Sequence, residues 1–313
     1  MFAHVGRTLL RLIVTGVGIV SVAFFLMRAI PGDPATYMLG DYATKESTAA
    51  LRAKLGLDQP VWLQYTLFMR NAITGNLGTS VVTGQPALQE VMASLPSSAV
   101  LAFSGLFIAI VIGVPLGIIC AIRQGTWVDV SVMLGALAGI SFPVFWLGLA
   151  AILVFSYWLP IFPTLGSSNA KDLFTQIHHL LLPALVLGVS IAAYIARLTR
   201  SAMLEVLSQD YIRVARAMGV PERRIIFKLA LRNALVPILA VIGVTFAWSF
   251  GNAILIEAVF SRPGLGSMLL KAILARDYQL VQAGVLILAS MVVLINAGLD
   301  LTYAVIDPRL NAS

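Results

Sequence analysis

The chain has 313 residues, 59% hydrophobic and only 11% charged, with a formal net charge of +7. A soluble domain carries about 25% charged residues, so a soluble globular fold is excluded as the reading. The positive charge is also too local for a nucleic-acid surface. Between Arg197 and Arg232 eight basic residues (197, 200, 213, 216, 223, 224, 228 and 232) stand against Glu205, Asp210 and Glu222, so one segment holds +5 of the +7.

The missing charge leaves uncharged windows at Leu12–Met27, Val91–Ile122, Val130–Ala170, Leu173–Ala196, Asn233–Ile256 and Tyr278–Leu299. A bilayer core takes roughly 20 apolar residues per helix, which predicts an all-α polytopic membrane protein. Cys120, the single cysteine, falls inside a window and is expected to be a small buried hydrophobe.

Arg7 and Arg11 precede the first apolar run and place the N-terminus in the cytoplasm. That run is longer than the 7–15 residue core of a signal peptide and lacks a small-residue cleavage site, so a retained helix is expected. Pro31, Gly32 and Pro34 end it. A polar segment of balanced charge then reaches about Ser94 and is assigned to the outer side. Within it Lys45–Leu55 has helical composition, Gly56–Pro60 stops it, and Trp62, Leu63, Tyr65, Leu67, Phe68 and Met69 suggest an amphipathic piece at the membrane interface.

The second spanning helix is expected from about Ala99 to Ile122, followed by an inner loop, Gln124–Asp129. The third starts at Val130, carries Pro143 and ends near Trp158–Pro163. Lone prolines in such helices are tolerated kinks or hinges. His178 and His179 precede a fourth helix, Leu180–Ala196; adjacent residues do not share a helix face, so a two-histidine metal site has poor geometry. The fifth helix is expected at Val236–Ile256 with Glu257 at its outer end. Glu257–Gly266 reads as a structured turn, followed by an amphipathic piece through Ala275. A sixth helix, Gln279–Ala297, extends toward Tyr303, and six spans place both termini inside.

The run Ser208–Pro237, between the fourth and fifth helices, is the organising stretch. Tyr211, Val214, Ala215 and Met218 recur at helical spacing before Gly219-Val220-Pro221, and Ile225, Ile226, Leu229 and Ala230 do so after it. Gly219 suits a left-handed helix end and Pro221 the first turn of the next helix. The expectation is two short amphipathic helices around a tight turn, basic outside and apolar within, suited to docking in a groove of a soluble partner. A DNA-reading helix-turn-helix shares this outline, but between two membrane spans it could hardly reach a duplex.

Nothing in the chain promises its own chemistry. The dipeptide Gly-Lys, which a phosphate loop needs, does not occur. No nucleophile constellation stands out, and the apolar windows lack the mid-depth acids and bases of a proton relay. Energy for any transport is therefore expected to come from another subunit.

Several motifs in order resemble those of the permease subunits of ABC importers of the dipeptide/oligopeptide/nickel family, first-permease type. They are AIPGDPA (Ala29–Ala35), LGLDQP (Leu55–Pro60), RLTRSAMLEVLSQDYIRVARAMGV with LRNALVP, EAVFSRPGLG (Glu257–Gly266) and DPR (Asp307–Arg309). Importer permeases carry a loop of pattern E-A-A, three residues, G, nine residues, I-x-L-P. With Gly219 on its glycine, Arg213, Val214 and Ala215 fall on E-A-A, Leu229 and Leu231 on the I and L, and Arg232 on the proline. Only the glycine and some small or aliphatic positions agree.

The resemblance implies a type I importer fold of six transmembrane helices with both termini cytoplasmic: residues 1–94 an N-terminal helix plus extracytoplasmic segment, 95–306 the permease core with a coupling loop at 201–235, and 307–313 a tail. It implies a second homologous permease, two ATP-binding subunits that use ATP and Mg, an extracytoplasmic solute-binding protein and membrane lipid as partners, with no cofactor on this chain, in a bacterial inner membrane. The expected ATPase-coupling residues are Asp210, Tyr211, Arg213, Ala215, Arg216, Ala217, Gly219, Arg223, Arg224, Arg232 and Asn233. Those expected to meet the binding protein are Pro31, Gly32, Asp33, Pro34, Phe260, Pro263, Gly264 and Gly266. The solute class implied is a di- or oligopeptide or a related small molecule; a stand-alone channel or secondary carrier is the alternative.

Overall fold

The computed structural model describes residues 2–29, 33–39, 43–54, 56–166 and 172–306. Among them every regular element is helical, and the single strand-like pairing is an isolated bridge between Thr79 and Pro86. Four helices are long and apolar enough to cross a membrane, and a sharply bent pair adds a fifth candidate span. The first expected span lies on α1 (Phe2–Ala29), whose described apolar part is Ile13–Phe25. The expected motif at Asp307–Arg309, and the tail, lie outside the described residues.

The chain divides into two compact units. One comprises residues 1–96 and 264–297. It contains α1, the short α2 (Pro34–Leu39), α3 (Lys45–Lys54), α4 (Val61–Thr74), the start of α5 (Ala87–Ile122), α11 (Leu265–Leu274) and most of α12 (Tyr278–Ile306). The aromatic piece expected at the interface is α4. It packs on α1 through Phe24, whose ring lies 5.3 Å from Tyr65 and 5.7 Å from Phe68, while the hydroxyls of Ser21 and Tyr65 are 2.7 Å apart. Val91, Leu265, Leu269, Val281 and Ala283 form the buried centre of this unit.

Asp277 caps α12 and clamps a neighbouring loop. Its carboxylate accepts from the Leu280 backbone N–H (3.1 Å), the Ser80 hydroxyl (2.5 Å) and the Val81 N–H (2.9 Å). The Thr79 N–H adds a bond of 3.0 Å to the side chain of Gln279. Asp277 and Ser80 are both fully buried, so the carboxylate is stable there only because these donors surround it.

The second unit, residues 97–263 with 298–313, holds the rest of α5, the end of α12 and five further helical elements. These are α6 (Trp127–Ser141), α7 (Val144–Ile152, continuing as a π-helical turn to Trp158), α8 (Leu173–Leu207) and α9 (Asp210–Ala217), with the long α10 (Glu222–Val259) closing it. Glycine allows α5 and α8 to touch backbone to backbone. A Cβ on Gly113 would stand 2.8 Å from the Ala192 carbonyl oxygen, and one on Gly117 2.6 Å from that of Ala196. Small residues at helix crossings are how membrane helices gain close packing when lipid supplies no hydrophobic drive.

The observed helices are longer than expected. α5 begins at Ala87 rather than Ala99, because Pro86 starts it and the polar turns before Ser97 are held by packing of Ala87 and Val91. α8 takes in His178 and His179, expected to precede it. Asp172 caps it, accepting from the N–H groups of Phe174 (3.2 Å) and Thr175 (2.9 Å), and these bonds with the Thr175 hydroxyl hold its carboxyl below the usual carboxylate range. The two histidine rings pair with the carbonyls of Ile161 (2.9 Å) and Leu165 (2.7 Å), tying the 159–166 segment to α8.

The prolines divide by what the backbone does at them. Pro183 is buried within α8, and Pro237 lies between the buried Ala234 and Ile238 of α10; both stay inside continuous helix. Pro143 interrupts the helix, and the rings of Phe142 and Trp146 stack across the interruption at 4.6 Å. Phe142 takes the extended conformation that proline imposes on its predecessor (φ −87°, ψ 135°), and the halves α6 and α7 meet at 102°. The expected third span is therefore a broken one.

Candidate functional site

The basic stretch folds as α9, a tight turn and the first turns of α10. The turn satisfies the end of α9 by two backbone bonds, Val220 N–H to the Ala215 carbonyl (3.1 Å) and Gly219 N–H to that of Arg216 (3.0 Å). This is the Schellman pattern, which requires a left-handed residue, and Gly219 supplies it at φ 75°. Pro221 sits at the cap of α10, one position before the first-turn place expected for it.

The second short helix expected after this turn is instead the beginning of α10. Nothing between Glu222 and Val259 breaks the helix, and residues Ile225–Ala230 pass through a π-helical turn without interrupting it. The stretch therefore carries one free-standing helix, α9, and one continuous rod into the apolar region.

The face of α9 that packs inward also differs from expectation. Ile212 is fully buried, against Ile118 and Ala121 of α5, Ala202 and Met203 of α8, and Ile225, Ala230, Ala234 and Ile238 of α10. Burying a side chain of this size stabilises by about 1.5–3 kcal/mol. Tyr211, Val214 and Met218 point outward and are 42%, 56% and 77% exposed; Ala215 is half-buried. Their spacing marks a true stripe, but spacing cannot tell which side of a helix meets the body.

The remaining coupling candidates surround this stripe. Asp210 pairs with Arg213 at the start of α9, and Arg216 spans the turn to Glu222 at 2.7 Å. Asn233 of α10 donates to the Tyr211 hydroxyl at 2.7 Å, fixing α9 against the rod. Ala217, Arg223, Arg224 and Arg232 are exposed. These residues, with Val214 and Met218, which were not among the eleven candidates, lie along α9, the turn and the start of α10, over the buried Ile212.

The expected outer residues are not equivalent. Pro31 and Gly32 lie outside the described residues. Asp33 accepts from the Thr36 hydroxyl at 3.0 Å and pairs with Arg52 at 3.6 Å, at the start of α2, whose first residue is Pro34. Phe260 is fully buried, as are Gly264 and Gly266, so the side chain of Phe260 is not available to a partner. The Pro263 carbonyl accepts the Ser97 hydroxyl at 2.5 Å, and Gly264 is extended. These residues shape the turn between α10 and α11. Glu257, expected at an outer helix end, is fully buried. Burial pushes the neighbouring Arg262 guanidinium down, opposed by the Glu257 carboxylate.

One pair escaped the sequence reading. Asp129, expected in a loop, is in the first turn of α6 and 3% exposed. Arg200 of α8 grips it with two bonds, Nε to Oδ1 at 2.6 Å and the second guanidinium nitrogen to Oδ2 at 2.7 Å, and the Gly125 N–H adds a third at 2.9 Å. The residues are 71 apart in the chain, a separation that no local pattern discloses. Among the described residues no group of three or more His, Cys, Asp or Glu could hold a metal ion.

A multi-pass helical membrane protein with a basic, apolar-crested ridge between two spans is the build of a transporter's membrane component. Residues 113–312 match the family described as binding-protein-dependent transport system inner membrane component, and residues 1–102 match its N-terminal region. The chain is 40% identical to the dipeptide transport system permease protein DppB of Alkalihalophilus pseudofirmus and 37% identical to the oligopeptide transport system permease protein AppB of Bacillus subtilis, each over 99% of both chains. It is 38% identical to the probable D,D-dipeptide transport system permease protein DdpB of Escherichia coli, over 96% of this chain and 94% of that one. The fold is similar to a chain of the MetNI methionine ABC transporter in an inward-facing conformation (TM-score 0.59, 21% identity, 71% of this chain and 98% of the other). The chain belongs to the binding-protein-dependent transport system inner membrane component family.

Proposed function

We propose that this chain is one of two related permease subunits of an ATP-driven importer, and that its ridge from Asp210 to Asn233 seats in a cleft of an ATPase subunit. The observation that carries this reading is the crest of α9. Val214 and Met218 are apolar and exposed beside the partly exposed ring of Tyr211, on a helix whose other face is locked into the chain by Ile212. Such a crest in water is unfavourable unless a partner covers it, and the arginines around it suit an acidic cleft rim. ATP and Mg act on the partner ATPases. The chain itself is not a catalyst.

In this reading the chain crosses a bacterial inner membrane six times with both termini in the cytoplasm, and forms half of the solute path. The names of its relatives make a short peptide the favoured solute. Aspartate at Val214 or Met218 is expected to leave the chain inserted, because both side chains are exposed, and to reduce recovery of the ATPases with the purified chain at least tenfold. Full recovery of the ATPases with the double Val214→Asp/Met218→Asp variant would sink the docking reading. A chain that purifies alone, while other importers stay intact in the same extract, would bring back a channel or carrier.

The outer segments 31–94 and 257–278 are the proposed meeting place with the solute-binding protein. Charge reversal at Asp33 is expected to weaken uptake driven by the binding protein. Unchanged uptake across substitutions at 33, 34 and 263 would remove these positions from that surface.

A further inference from the structure

The Asp129–Arg200 pair does a task that the docking ridge does not explain. α9 is packed by Ile212 onto the ends of α5, α8 and α10, so these four elements share one buried cluster. α6 contributes no residue to that cluster. It packs along α8, with Gly139 against Ala193, and near the end of α8 it is fixed by the doubly bonded ion pair to Arg200, seven residues before the end of α8 and ten before the start of α9. A fork of two parallel charge-assisted bonds fixes orientation as well as distance. The far end of α6 is the break at Phe142–Pro143, where the backbone turns through 102° with exposed residues on both sides.

We propose that Asp129 and Arg200 are positioning residues for transport, forming a strut that makes α6 move with the docking ridge. The elbow at Phe142–Pro143 is then the joint at which that movement reaches the solute path. A rigid link near one end and a sharp backbone break at the other, bridged only by the stacked rings of Phe142 and Trp146, are what a lever needs. Motion imposed on α9 is carried along α8 and across the ion pair, and α6 swings against α7. This inference rests on the docking reading, since the ATPases supply the motion.

The test uses the whole complex, purified with its partners and reconstituted, in a Cys120→Ala background. Spin labels are placed at Ser131→Cys on α6, Glu205→Cys on α8 and Tyr157→Cys at the end of α7, all exposed. The 131–205 distance is expected to stay constant between nucleotide-free and ATP-trapped complexes, while the 131–157 distance changes. Asp129→Asn is expected to broaden the 131–205 distribution and to lower solute uptake at least fivefold, with ATP hydrolysis and ATPase recovery largely kept. Arg200→Lys, which retains the charge but loses the fork, should fall between. A 131–205 distance that shifts with ATP in the otherwise native chain would overturn the strut, as would parallel loss of hydrolysis and uptake in Asp129→Asn. Failure of docking is separately visible: Met218→Asp would then keep its ATPases, whatever the labels report.

Discussion

At the scale of single residues, backbone conformation and burial decide what each position tolerates. Gly219 has no neighbour within 4 Å of a would-be Cβ, so its requirement is the positive φ alone. A β-branched residue there costs about 1–2 kcal/mol in left-handed geometry and destroys the Schellman turn that aims α9. Gly219→Val is expected to reduce uptake several-fold at normal membrane abundance, and Gly219→Asn, which visits this region more readily, to keep most of it. Normal uptake by the valine variant would show that the turn has no part in coupling. The glycine was legible because Gly-x-Pro after an amphipathic helix has few other uses. Ile212 was not, because one buried isoleucine in an eight-residue helix leaves no period to read.

At the scale of elements, the chain is held by contacts between stretches far apart in sequence. The loop around Ser80 depends on Asp277, nearly two hundred residues away. Asp277→Ala would leave the buried Ser80 hydroxyl and the Val81 N–H without their acceptor and α12 without its cap, a loss of about 3 kcal/mol. The expected outcomes are a lower unfolding temperature in detergent and faster hydrogen exchange over residues 78–83. Unchanged exchange there would mean that the loop is held by something other than the clamp. Helix boundaries show the same dependence on partners. Composition placed the apolar centres of α5, α8 and α10 correctly but made the helices too short, because polar turns at a helix end are held by packing and capping. Pro143, Pro183 and Pro237 all sit in apolar runs, and only the folded backbone shows that the first breaks its helix while the other two do not.

At the scale of the whole molecule, charge asymmetry and apolar length are the grounds for the proposed topology. In the proposed topology, six crossings with the ridge in the cytoplasm put both termini there, which a thiol-labelling experiment tests directly. Single cysteines near each end and at Arg223 should react only after the inner side is opened to an impermeant reagent, and one at Trp62 without opening it. Reaction of the two termini from opposite sides would contradict six spans and require that α1 or the bent pair α6–α7 does not cross.

By itself the sequence determined the membrane class, the basic ridge and its turning glycine, and the absence of any phosphate loop. These are properties of composition and short-range pattern, which bilayer thickness, charge bias and φ/ψ sterics translate directly into structure. Tertiary structure alone decided that α9 seats on Ile212 and presents Tyr211, Val214 and Met218, that α10 runs unbroken from the turn into the membrane helix, and that Phe260 and Glu257 are buried. It also decided that Asp129 meets Arg200. Each of these depends on which surfaces face one another after folding. A buried charge is stable only where its partner arrives, and a helix presents whichever face its neighbours leave uncovered.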